Sequence, residues 1–440
     1  MLSKRKQAWG VSDLCLIIYI VTGFTFLRAR LGSFAIYTVF PVWFMLTWLK
    51  SWNAMVSNRW TRLVLFSFPL FILAVYFIHY LNGVPFARGL LQSKNYTYAF
   101  VGWLIFAYYR QLKMPDRMRF FLFLGLGVAV ANAGWNFFVE GSYAYASRTM
   151  TGGSLERQIE AGNIDYDLVE ALESGVASFG RVCSFALLIP LLVYSHKYAV
   201  KKYKPYLILA AVVFGLTVMR ASYVLSVIYT CIGLYTVLLA RQRAVSVKQM
   251  WLMSLVVLAV FFSVVMILAN PILSVAENWA FSNDNEVYLS KIQDIKTALE
   301  TGEFEALPRI YNYQASATLI GSNPLGGVGY EGRLGLGGHS QILDMLALEG
   351  LLGFLPYLIF LAITNRYFVR VVDQRWVYAK NVRSVLWIPL IFACFTNPMD
   401  SYDVWLLYFF YAPALVYTFK EPFRPPADRE ALPLPLPRQA

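Results

Sequence analysis

The chain has 440 residues, of which 58% are hydrophobic and only 14% charged, and it carries a net charge of +13. A soluble chain averages roughly half apolar and a quarter charged residues. This composition therefore excludes an ordinary water-soluble globule and a disordered chain.

In chain order, apolar stretches occur at 11–27, 32–49, 63–81, 96–109, 119–139, 174–194, 206–219, 222–240, 250–270, 341–364, 384–397 and 403–419. Around twenty apolar residues cross a bilayer core as a helix, and lipid leaves backbone groups no partners outside their own segment. The pattern predicts an all-α integral membrane protein of about twelve spans. The first stretch follows Lys4, Arg5 and Lys6, and no small-residue cleavage site comes after it. It is expected to be a retained span and not a signal peptide.

An even number of spans puts both termini on one side, and the basic residues choose the side. With the termini inside, the inner segments collect Lys197, Lys201, Lys202 and Lys204 in one loop, and Arg366, Arg370, Arg375, Lys380 and Arg383 in another. Acidic residues gather on the opposite side. The positive charge is thus a property of the inner face and does not point to nucleic acid.

The organisation expected is membrane helices over 1–270 with a short outer loop at 140–173, a large outer loop at 271–340, membrane helices over 341–419, and a Pro-rich, disordered inner tail at 420–440. Seventy residues without structure would be unusual. The large loop has helical patterning of its own in "YLSKIQDIKTALETG" and again where Ile310, Tyr313, Ala317 and Ile320 recur, which predicts an amphipathic surface helix. The cysteines Cys15, Cys183, Cys231 and Cys394 all fall within predicted spans, away from the outer loops where disulfides form. No Cys/His spacing suited to zinc occurs.

Several motifs compete for the chemistry. Gly327, Gly329 and Gly332 match G-x-G-x-x-G, but no strand precedes them and no βαβ unit surrounds them, so a nucleotide loop is rejected in favour of a sharply turning loop whose backbone can approach a ligand closely. Asp165 and Asp167 have the form of a metal-holding pair, yet Glu156, Glu160, Glu170 and Glu173 surround them, and a solvated acidic loop is the better reading. The triplet Asn95-Tyr96-Thr97 abuts a span and is discarded as a glycosylation site. His79 and His196 lack arginine neighbours or sit in a basic loop, and are set aside.

Arg220 interrupts two spans at their outer turn, Arg181 lies one or two turns inside its span, and Arg309 lies in the large loop. Charge at such places is costly and is usually paired or functional. Guanidinium forks hold phosphate bidentately and keep their charge, so three on one side suit a diphosphate without a metal. His339 stands after the glycine-rich loop and before a long apolar helix. Its near-neutral titration suits proton transfer. Ser340 is placed to cap that helix, and Asp344 and Glu349 follow on it, where either could orient an imidazolium or hold an arginine.

The segments "RIYNYQASATLIGSNPLGGVGY" and "HSQILDMLALEGLLGFL", with "LTVMRASY" upstream, resemble the O-antigen ligase and polymerase superfamily, whose members share an arginine, a stretch ending N-P-L-x-G-x-G and then H-N/S-x-x-L. The resemblance covers roughly 215–225 and 305–360, and it departs at Ser340, where Asn is more usual. It implies a GT-C-type glycosyltransferase of the bacterial inner membrane with a periplasmic site, no cofactor and no metal. The implied donor is a glycan on undecaprenyl diphosphate. For a ligase the acceptor is lipid A–core. By motif, His339 is implied as the base and Arg220 and Arg309 as diphosphate ligands; Arg181 is added on charge and position alone. The R-x10-G pattern of polymerases fails, since Cys231 and Ile320 stand where glycine is required, which leans towards ligase. A polymerase using the same donor is the alternative. A polysaccharide transporter is disfavoured because no halves match, the polar outliers gather on the outer side, and the spans lack an intramembrane charge row.

Overall fold

The computed structural model describes residues 9–22, 34–84, 86–138, 273–282, 308–329, 340–372 and 405–418, with single positions between them. Every regular element among these is helical. In order they are α1 (Val11–Val21), α2 (Phe40–Phe44, with π-helical turns Ala35–Val39 and Met45–Leu49 on either side), α3 (Trp52–Val56), α4 (Arg59–Leu81), α5 (Phe86–Gln111), α6 (Pro115–Phe138), α7 (Pro308–Ser322), α8 (Gln341–Val372) and α9 (Ala412–Thr418, after the π-helical turn Leu407–Tyr411). The expected spans at 174–194, 206–219, 222–240, 250–270 and 384–397 lie outside the described residues or are touched at single positions only, as do the 140–173 loop and the tail.

Two helices, Arg59–Leu81 and Gln341–Arg370, are long and apolar enough to cross a bilayer. Less than half of each apolar window is buried within the chain. Phe66, Leu70, Leu73 and Phe77 of α4 and Leu352, Leu355 and Ile359 of α8 are exposed. A core helix of a soluble protein would bury such residues, and a surface of this kind suits lipid.

The two helices run antiparallel along their length. His79 meets Glu349 near one end, Phe71 meets Tyr357 and Phe360 in the middle, and Trp60 shares a cavity with Arg366 and Arg370 at the other end. Helix α5 returns beside them, with Tyr96 against Phe71 and Tyr357, and Trp103 against Tyr367. The C-terminal helix closes the group through Trp405, Phe409 and Tyr417. The core is therefore a column of aromatic rings, several stacked or edge-on, which fills the space between helices with large rigid groups. The Asn95–Thr97 triplet lies inside α5, and Tyr96 is buried, in keeping with its rejection as a surface acceptor.

One end of this bundle is basic. Arg59, Arg62, Arg366 and Arg370 stand there with Lys113 of the α5–α6 turn and Arg117 in the first turn of α6. Asp13 pins α1 to this end. It accepts from Tyr109 Oη at 2.9 Å and pairs with Arg117 at 2.8 Å, while the Arg117 guanidinium lies 3.5 Å from the Trp9 ring centre.

Close helix crossings depend on small residues. A Cβ on Gly125 would strike the Tyr411 ring, whereas one on Gly127 would meet nothing within 4 Å. Gly125→Ala is expected to destabilise the protein by about 1–3 kcal/mol through overpacking. Gly127→Ala, next but one on the same helix, should be neutral or stabilising by up to about 1 kcal/mol. Thermal unfolding of both purified variants in one detergent checks the pair.

Candidate functional site

At the end opposite the arginines, α8 is not continuous. The sequence predicts an unbroken helix over 341–364, but Gly350 departs from helical geometry with φ 59° and ψ −171°. Such a break frees carbonyls before it and amides after it, and buried backbone groups must find partners. The glycine-rich loop supplies them. Val328 and Gly329 donate to the carbonyls of Ala347 and Leu348 at 2.8 and 3.0 Å, and Leu351 and Leu352 donate to those of Pro324 and Leu325 at 2.9 and 3.1 Å.

Glycine is required on both sides of this junction. Gly327 and Gly329 have φ of 68° and 65°, in the left-handed region where a Cβ is disfavoured. A Cβ on Gly327 would collide with the Leu348 carbonyl, and one on Gly350 with that of Leu325. The sharp turn expected of the Gly327–Gly332 loop is present among its described residues, whereas the close approach expected of it is to a ligand. What the loop approaches is α8 itself. Asn323 fixes the turn, donating from Nδ2 to the Gly327 carbonyl at 2.7 Å and accepting from the Gly326 amide at 3.2 Å.

The end of α4 holds the loop from the other side. Val84 N–H donates to the His79 carbonyl and Gly83 N–H to that of Tyr80, with Gly83 at φ 75°, which is a Schellman stop. This presents Asn82, whose Nδ2 donates to the Ile78 carbonyl at 3.0 Å and to the Gly326 carbonyl at 3.3 Å. One turn back, His79 Nε2 stands 2.9 Å from Glu349 Oε1, both side chains being almost fully buried. The contact has ion-pair distance without well-formed hydrogen-bond geometry: neither imidazole nitrogen nor Glu349 Oε2 has a hydrogen-bond partner among the described residues.

The start of α8 is anchored as well. Ser340 caps it as expected, its Oγ accepting from Leu343 N–H at 3.3 Å and donating to the Cys394 carbonyl at 3.3 Å. Asp344 accepts from the Ser340 amide at 3.4 Å and from Ser316 Oγ of α7 at 2.6 Å. Helix α7 forms where the Ile310–Ile320 pattern predicts, but its packed face differs in one place: Ser316 is buried against Asp344, while Ala317 is exposed. A hydrogen bond to a carboxylate outweighs the burial of one methyl group here.

Of the residues singled out in the sequence, Ser340, Asp344 and Glu349 are thus brought together at one end of the bundle with α7. Arg309 is the second residue of α7, and its side chain lies outside the described residues, as do Arg181, Arg220 and His339 altogether. Among the described residues the imidazole beside Glu349 is that of His79. His79 was set aside for want of arginine neighbours. A signal for it exists, since it continues the buried stripe Val64, Phe68, Phe71, Val75 of α4 at helical spacing. Among the described residues no cluster of three or more metal-ligating side chains occurs. Cys15 and Cys394 are both free thiols. No known protein-family model matches the chain, and no curated protein matches it significantly.

Two outcomes follow from this geometry. Gly327→Ala and Gly350→Ala should each cost more than about 2 kcal/mol, because left-handed strain and a backbone collision add. Gly321→Ala, with open space around it, should be tolerated; the melting temperature of each variant decides. Removing either member of the His79–Glu349 contact leaves a buried polar partner unsatisfied, at about 1–3 kcal/mol. His79→Leu with Glu349→Leu should be markedly less harmful than the sum of the single changes, and a double-mutant cycle in unfolding free energy reads that coupling.

Proposed function

We propose that the chain is a ligase-type glycosyltransferase, which moves a glycan from undecaprenyl diphosphate to a sugar hydroxyl of lipid A–core at the periplasmic face of the inner membrane. The observation that supports this reading is the union of α7, the Gly326–Gly329 loop and the start of α8 by Ser316–Asp344 and the four loop-to-break hydrogen bonds. The two segments that carry the family resemblance are parts of one packed unit. Arg309 opens α7, and His339 directly precedes the cap of α8. Arg309, the expected phosphate ligand, is on one of two helices that Ser316–Asp344 and the loop hold together, and His339, the expected base, precedes the other in the sequence.

The chemistry follows from the residue types. His339 takes the proton of the acceptor hydroxyl as that oxygen attacks the anomeric carbon. Arg220 and Arg309, with Arg181, balance the charge that grows on the departing diphosphate. Attack opposite the leaving group inverts the anomeric centre. No metal ion or cofactor is needed. The arginines at the far ends of α4 and α8 support a cytoplasmic assignment for that end and a periplasmic one for the α7–α8 junction.

The interrupted α8 favours a second reading, because transporters build substrate sites from broken helices. In those sites the unwound backbone is left to coordinate cargo. Here Pro324, Leu325, Val328 and Gly329 occupy the freed groups of the break, so the break serves packing and the transferase reading is preferred. A polymerase would use the same donor and residues.

Lipopolysaccharide from a deletion strain separates these outcomes. Loss of a ligase leaves bare core while lipid-linked glycan accumulates; loss of a polymerase leaves core bearing a single repeat; loss of a transporter leaves the periplasmic donor pool empty. With purified protein, His339→Ala should lower turnover by roughly 10²–10⁴ while donor binding persists. Arg220→Lys and Arg309→Lys keep the charge without the planar fork and should lose most activity. Activity should survive excess chelator. Near-normal turnover of His339→Ala would remove the histidine from the mechanism.

A further inference from the structure

The basic end of the bundle contains a cavity of about 140 Å³ between α4 and α8, lined by Trp60, Arg366, Val369 and Arg370. Ordered water needs about 10–15 Å³ of such space per molecule, so a phosphate group fits. Arg366 and Arg370 are exposed, and neither has an acidic partner among the described residues. Val369 is buried and Trp60 half-buried, which gives the cavity one apolar wall.

The position of the two arginines on their helix is informative. Leu352, Leu355, Ile359, Ala362, Arg366 and Arg370 follow one another at spacings of three and four, and all are exposed. They form a single face of α8 that is apolar for most of its length and cationic at its end. From Leu352 to Arg366 this face runs roughly 21 Å, longer than one leaflet's share of a roughly 30 Å hydrocarbon core. An acyl chain lying on the leucines would bring its headgroup to the arginines. Trp60 has the amphipathic ring that favours this interfacial depth.

We propose that this cavity binds the phosphate of an anionic phospholipid of the cytoplasmic leaflet, with Arg366 and Arg370 as its ligands and the Leu352–Ala362 face as the bed of an acyl chain. Guanidinium is the side chain suited to hold a phosphodiester through paired N–H donors. Basic pockets between helices at the cytoplasmic side are suited to anionic headgroups. The site stands apart from the α7–α8 junction, at the opposite end of α8, and does not depend on the reaction carried out there.

The test uses the full chain purified in detergent. Binding of phosphatidylglycerol and of phosphatidylcholine is titrated by native mass spectrometry, with inorganic phosphate as competitor. Phosphatidylglycerol should bind at least tenfold more tightly than phosphatidylcholine. Arg366→Gln with Arg370→Gln should weaken it by about thirtyfold, two arginine contacts at the magnitude expected near a membrane surface. Arg62→Gln with Lys113→Gln removes equal charge from the same end outside the cavity and should change it by less than about threefold. Equal losses in the two double variants would reduce the effect to bulk attraction and overturn the proposal. Loss of lipid binding to millimolar inorganic phosphate would make the ligand a free anion, and equal affinity for both lipids would also overturn it. The last two comparisons use the unaltered protein, so they decide even if a variant fails to fold.

Discussion

The end of the described bundle opposite the arginines depends on one constraint: where α8 breaks at Gly350, its backbone must be completed by another segment. An amide or carbonyl left bare in apolar surroundings costs several kcal/mol, and water is not at hand to help. Four hydrogen bonds from the Pro324–Gly329 loop meet this need. They require two left-handed glycines in the loop and one in the helix, because a Cβ on Gly327 or Gly350 would meet the facing backbone and one on Gly329 the Asn82 side chain. Once the loop is seated, its neighbours have little freedom. Asn82 must reach Gly326, α4 must stop at Gly83, and α7, which runs directly into the loop, must lie against Asp344.

Away from the break, the bundle is held differently. Its middle and its basic end are packed through rings on α4, α5, α8 and the C-terminal helix, with Trp103, Trp405 and Phe106 fully buried. Lipid offers no hydrophobic force to press helices together, so close packing of large, rigid groups carries the association. Directional hydrogen bonding is concentrated at one end and ring packing along the rest. That division lets the end with the break have an irregular backbone without loosening the helices that support it.

The sequence makes the second part legible and hides much of the first. Apolar length predicts α4 and α8, and the described boundaries fall close to the expected ones at Leu81 and Gln341. Ser340 reads as a cap because its side chain acts within one turn, on Leu343. Helix α7 is visible from its spacing, although Ser316 and not Ala317 turns inward, since the deciding partner is Asp344, 28 residues away. The break at Gly350 is not legible, as an isolated glycine in an apolar run is compatible with a continuous helix. What makes it a break is the loop that docks there. His79 is missed for the same kind of reason: its partner Glu349 is 270 positions further along, and only the antiparallel packing of α4 and α8 joins them.

These irregularities share a location. A scaffold selected for packing alone could run α8 straight through position 350 and carry leucine at positions 79 and 349. Such a core would be no less stable, because replacing a buried ion pair by apolar groups is often neutral or better. Instead, a helix break, three left-handed glycines and a buried pair with unused hydrogen-bonding capacity lie within two turns of one another. Departures from locally favourable structure tend to cluster where a site is being shaped. Here they gather where the loop that follows α7 meets α8 and the end of α4; in the sequence Arg309 stands in the first turn of α7 and His339 two residues before α8. The costly features of the fold therefore lie in the loop, in α8 and at the end of α4. The stable part of the bundle, with its stacked rings, acts as the base on which that end is held.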